Sequence, residues 1–142
     1  MQRLKTRSQF QAGLAGGVLV RTPHFALHSA RLDQVLLEPQ AAVLPVAASG
    51  IVWMGAMVPK RWAKQAVTRN AIRRQIYSVG NEFESALPAA VHVVRLRAGF
   101  DRKNFVSASS DVLKIALRQE LQQLFSRAVA GWLAPGRRDA TA

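Results

Sequence analysis

The chain has 142 residues, with 20 Lys plus Arg against 8 Asp plus Glu, a net charge of +12 and a pI near 11.7. That length suits one domain with a core of its own, and a hydrophobic content of 49% excludes a basic disordered tail. There is no cysteine, which excludes a disulfide framework and thiolate metal sites, whereas so positive a field draws phosphate backbones and holds them by counterion release.

The first element is a short helix over residues 6–14. Thr6 followed three residues later by Gln9 can form a capping box, Phe10 and Leu14 share one side, and Gly16-Gly17 ends the helix. After Pro23, Phe25 and Leu27 alternate with Ala26 and His28, the pattern of a strand with two unlike faces. Residues 31–50 hold Pro39, Pro45 and Gly50 among apolar residues and read as a connection or edge hairpin. Residues 51–58, IVWMGAMV, are a continuous apolar run stopped by Pro59, which predicts a strand buried on both faces. Ile72, Ile76, Val79 and Phe83 then recur at the spacing of an amphipathic helix, and VHVVRL at 91–96 predicts a second central strand. Past turn residues Gly99, Asp101 and Asn104, the stripe Leu113, Leu117, Leu121, Leu124 and Ala128 marks a long closing helix, with Ser109 or Ser110 as its cap. Residues 1–134 are thus expected to form one domain and 135–142 a frayed tail; one sheet with helices packed on it follows from the order of elements.

The run KRWAKQAVTRNAIRR, residues 60–74, carries Lys60, Arg61, Lys64, Arg69, Arg73 and Arg74, with no acid nearer than Glu38 and Glu82. A solvated helix usually interleaves both signs, because like charges three or four residues apart repel. Here the repulsion stands, and a polyanion is the expected partner. Measured around the helix from Ile72, Arg69 falls at about 60°, Arg73 at about 100°, Asn70 at about 160° and Arg74 at about 200°, a fan across the face away from the core.

The segment MGAMVPKRWAKQAVTRNAIRRQIY resembles the signature of the protein subunit of bacterial ribonuclease P: a G-x-x-V strand, a basic pair, then a helix bearing R-N-R and further basic residues. LKTRSQFQAGL is similar to that family's N-terminal helix, HFALH to its first strand, LPAAVHVVRLRAGF to its third strand, and the final leucine stripe to its last helix. Two departures are visible. Ala71 stands where the family has the second arginine of the triplet, which is expected to weaken one phosphate contact, and the apolar connection 30–51 is longer. The resemblance implies an α/β (α+β) two-layer sandwich, a small mixed sheet with helices. It also implies a left-handed strand-helix-strand crossover, where general rules favour a right-handed one.

The resemblance further implies a protein that binds a catalytic RNA and assists removal of the 5′ leader from precursor tRNA. Lys60, Arg61, Lys64, Arg69, Asn70, Arg73 and Arg74 would meet the RNA subunit, and Phe10, Leu14, Ala26 and His28 would line the leader cleft. The expected partners are the ribonuclease P RNA and precursor tRNA, with no membrane and no protein partner required. No cofactor would be bound tightly by the protein, and Mg²⁺ is expected in the RNA–protein holoenzyme.

The residue chemistry agrees independently. Hydrolysis of a phosphodiester by a protein needs clustered carboxylates for metal ions, or a base paired with a nucleophile. Here the acids are scattered except for Glu82 and Glu84, so no catalytic and no metal residues are assigned. Arginine forks match phosphate geometry, and an unstacked strand wants planar or apolar platforms beside positive charge. Phe10 reads equally as core or platform; His28 and Trp62 read as packing residues that can also meet a base. His24 and His28 would share a strand face, too few ligands for zinc. Two other function classes are a ribosomal-type structural RNA-binding protein and a peripheral membrane protein. The second is disfavoured because Ile72, Ile76 and Phe83 are needed by the core. With no apolar signal core behind residues 1–10 and no uninterrupted membrane-length run, a cytoplasmic location is expected.

Overall fold

The computed structural model describes residues 1–31, 51–100 and 111–133. The connection 32–50, the proposed serine caps of the last helix and the tail 135–142 lie outside the described residues. The elements are β1 (Gln2–Arg3), α1 (Arg7–Ala15), β2 (Val18–Arg21), β3 (Phe25–Arg31), β4 (Trp53–Met57), α2 (Ala66–Glu82), β5 (Ala90–Leu96) and α3 (Asp111–Leu133). They form a mixed five-stranded sheet, ordered β1-β4-β5-β3-β2, in an α+β architecture. β1, β4 and β5 run parallel, while β5, β3 and β2 are antiparallel.

The capping box of α1 is present: Gln9 N–H donates to Thr6 Oγ1 at 3.2 Å, and Thr6 N–H donates to Gln9 Oε1 at 3.1 Å. The helix stops at Gly16, and the next residue, Gly17, has φ +87°, a left-handed conformation that a β-carbon would strain. The chain turns there directly into β2. Neither β2 nor β1 was expected from sequence, since one is four residues long and the other two.

Strand alternation divides the core. Phe25, Leu27, Met54, Ala56, Val94 and Leu96 face α2 and α3, meeting Ile72, Ile76 and Val79 of the first and Leu113, Leu117, Leu121, Leu124, Phe125 and Ala128 of the second. Sheet and paired helices make the two-layer body. On the sheet's other face, Leu4, Ala30, Trp53, Val91 and Val93 pack with Phe10, Ala12 and Leu14, so α1 is a small lid on that side. Two glycines let it approach. A β-carbon on Gly13 would lie 2.6 Å from Val93 Cγ2, and one on Gly55 would lie 2.5 Å from Phe10 Cε1.

Polar groups lock the layers. Tyr77 of α2 accepts the Ala56 N–H at 3.2 Å, where β1 no longer pairs with β4, and carries the Arg3 guanidinium 4.1 Å above its ring. Arg118 of α3 binds Gln75, Ser78 and Glu82 of α2. His92 is fully buried in β5, where its Nε2 lies 3.1 Å from the Pro88 carbonyl and its Nδ1 2.7 Å from the Ser29 hydroxyl. A carbonyl can only accept, so Nε2 carries the proton and Nδ1 accepts from Ser29. Burial depresses its pKa to about 4, against a smaller opposing effect of the Pro88 carbonyl.

Two outcomes follow. Because the folded state holds His92 below the ordinary 6.5, protonation favours the unfolded chain. Its contribution is complete above pH 6.5 and is lost as pH falls toward 4, on the order of 3 kcal/mol. Urea titrations across that window should show the slope, and His92→Gln should flatten it. Gly55→Ala should displace Phe10 and cost about 1–3 kcal/mol in the same assay, with increased exposure of α1 amides to exchange.

Candidate nucleic-acid interface

The end of β4 runs into a turn that the Trp62 and Ala63 N–H groups close on the Pro59 carbonyl, at 3.1 and 3.2 Å. Lys60, Arg61 and Lys64 project from it into solvent, and Trp62 is 38% exposed beneath the Arg61 guanidinium, 5.3 Å from its ring centroid. α2 then begins at Gln65 without a side-chain cap and with no acid in its first turn, so the positive end of its dipole adds to the lysines. Asn70 and Arg74 are exposed; Arg69 and Arg73 are half-buried. That gradient follows the angular order read from the sequence.

Within this surface the side chains are not equivalent. Arg73 Nη1 donates to Asn70 Oδ1 at 2.9 Å, which orients the amide, whereas Arg69 turns back and donates to the Ala63 and Lys64 carbonyls. Among the described residues, no carboxylate forms an ion pair with Lys60, Arg61, Lys64, Arg69, Arg73 or Arg74. The described acids act elsewhere: Glu82 on Arg118, and Glu120 on Thr22 and His24.

The second part of the site lies on the sheet face that carries α1. Phe10 and Leu14 are half-buried on α1, Phe10 over Gly55; beyond the helix, the face continues through Ala26 and His28 of β3. Ala26 is 0% exposed and forms the floor. The register sets Arg21 of β2 on one side of it and Arg95 of β5 on the other. His28, 9% exposed, accepts from Arg95 Nε at its Nε2, 3.4 Å away. Its pKa is lowered, first by burial and then by the positive Arg95 and Arg21. The Leu14 carbonyl opposes this, from outside hydrogen-bonding geometry with Nδ1.

Arg21 and Arg95 were missed in the sequence. Arg95 interrupts an apolar strand and so carried a signal, but its neighbour across β3 exists only through strand register. His24 departs from the expectation that it shares a face with His28. Its Nδ1 and its backbone N–H both meet Glu120 of α3 at 2.7 Å, and its ring stacks on Phe100 with centroids 4.0 Å apart. The residue lies before β3, where strand alternation no longer governs it. Among the described residues no group of three His, Asp or Glu side chains is placed to hold a metal ion.

The two parts join at one end of the sheet. Met57 pairs with Arg95, and Lys60 follows three residues later, so the paired arginines, the cationic turn and α2 form one positive rim. Such a rim fits a long phosphate chain better than a small anion. Its likeness extends to known proteins. The Ribonuclease P family profile matches residues 1–128. The ribonuclease P protein component of Bordetella parapertussis is 32% identical over 125 residues, covering 88% of this chain and 89% of its own length. The component from Ralstonia pickettii is 33% identical over 82 residues, 58% of this chain and 57% of its own. In fold, the Staphylococcus aureus RNase P protein superposes with a TM-score of 0.63 at 19% identity, over 90% of this chain and 95% of that one. Sequence likeness over nearly the whole length thus coincides with the acid-free basic surface, and the chain belongs to the ribonuclease P protein family.

Proposed function

We propose that this chain works as the protein component of ribonuclease P, binding the RNA subunit through the cationic turn and α2, and the single-stranded 5′ leader of precursor tRNA through the face beside α1. The observation that carries this reading is the continuous rim from Arg21 and Arg95 to Lys60–Arg74, free of described acid partners. A phosphate chain neutralises such a surface and releases its counterions.

On this reading the bond is broken by the RNA. The described residues contain no carboxylate cluster that could place divalent ions on a scissile phosphate, and Mg²⁺ is assigned to the RNA-containing assembly. The protein contributes charge neutralisation and alignment. At the leader face the neutral His28 has Arg95 and Arg21 acting on it, the Phe10 ring lies over Gly55 of β4, and both rings can meet unstacked bases while the arginines hold phosphates. Ala26 has no accessible surface and acts by keeping the floor low. The same reading places the protein in the cytoplasm with the precursor tRNA. Among the described residues no helix is long and apolar enough to cross a membrane.

Reconstitution with a bacterial ribonuclease P RNA at low magnesium should raise the rate of leader removal, and cutting by the protein alone should be absent. Failure to raise cleavage would refute the assignment. Arg73→Ala with Arg74→Ala should weaken binding to the RNA subunit and lower the salt slope by about two, one for each lost phosphate contact. Arg21→Ala with Arg95→Ala should instead lower the preference for leader-bearing over mature tRNA by about tenfold, with RNA-subunit affinity changed less than about threefold.

A further inference from the structure

Arg69 differs from the other cations of the basic surface in what its side chain already does in the free protein. Its Nη1 donates to the Ala63 carbonyl at 3.0 Å and to the Lys64 carbonyl at 2.7 Å. Both carbonyls belong to the irregular segment between β4 and α2, where no ladder or helix supplies donors, and the Gln65 side chain makes no cap there. One charged nitrogen donating to two carbonyls is a strong tie for such a segment.

Ala63, 6% exposed, anchors one point of the segment in the main core, and two further contacts fix its backbone. Trp62 and Ala63 donate to Pro59, and Gly99 packs so closely that a β-carbon on it would lie 3.1 Å from Trp62 O. Lys60, Arg61 and Lys64 stand on this backbone and are exposed. Their reach into solvent is set by the turn, since ordering three long side chains at the moment of binding costs affinity that a fixed backbone saves in part.

We propose that Arg69 is a positioning residue, pinning the turn at residues 59–64 so that Lys60, Arg61 and Lys64 meet RNA phosphates as one fixed set. The proposal rests on the basic surface being the RNA-subunit interface. It revises the expectation that Arg69 contacts phosphate in the manner of Arg73 and Arg74.

Two measurements test it on the full chain. In the free protein, Arg69→Ala and Arg69→Gln should speed hydrogen exchange at the Trp62 and Ala63 amides by about tenfold or more, with the β5 amides unchanged as evidence of an intact fold. In binding to ribonuclease P RNA, Arg69→Ala and Lys64→Ala should couple: the double variant should lose clearly less than the product of the two single losses, because a loosened turn has already misplaced Lys64. Unchanged exchange, or losses that multiply, would overturn the positioning role and leave the interface standing. If Lys60→Ala, Arg61→Ala and Lys64→Ala all bind like the parent protein, the interface reading falls and this proposal with it. Arg69→Lys keeps the charge on a side chain of different reach and geometry, so its binding should track the protection of the turn. Full binding with an unprotected turn would assign Arg69 to direct phosphate contact and overturn the proposal.

Discussion

The parallel pairing of β4 with β5 is the constraint on which the site depends. Trp53 pairs with Val91 and Met57 with Arg95, so the chain must leave β4 at one end of the sheet and return to the other through α2. That exit puts the cationic turn at the same end as Arg95, and the return path presses Ile72, Ile76 and Val79 onto the sheet with the basic face outward. A one-residue slip would reverse the faces: Met54 and Ala56 would turn to α1, while Gly55, whose lack of a side chain admits Phe10, would turn to α2. Buried residues on both faces of β4 oppose such a slip. The placement of the basic surface is therefore a consequence of the core.

What could be read in advance was whatever repeats locally. The Thr6–Gln9 box, the stripe of α2 and the leucines of α3 each report their own surroundings at helical spacing, and all are found where expected. β1 and β2 could not be read, because two and four residues carry too little periodicity, and β2 has a register irregularity between Val18 and Val20. The candidate site divides in the same way. Its helical cations were visible as an acid-free run, but the partnership of Arg21 with Arg95 is made across β3 by register alone. Arg69 shows a third kind of limit. Its position on the helix was foreseen; its donation to the Ala63 and Lys64 carbonyls depends on how the preceding turn bends, which spacing does not encode.

Described acids help so cationic a chain keep its shape. Glu82 joins α2 to α3 through Arg118, and Glu120 fastens the β2–β3 turn to α3 by accepting from Thr22 Oγ1, His24 N–H and His24 Nδ1. Asp111 stands in the first turn of α3, where a negative charge suits the helix dipole. Glu82 and Glu120 each serve a junction of the scaffold, and none of these three carboxylates is an ion-pair partner for the cations of the basic surface. No described carboxylate offsets the repulsion among those cations, which weakens the fold slightly, and a bound polyanion would relieve it. Adding acids to the basic face would relieve the same repulsion in the free state, at the expense of the positive field that attracts polyanions. Among the described residues, Glu82 and Glu120 thus secure the frame, while the cations of residues 60–74 have no carboxylate ion-pair partner and stay open to a polyanion.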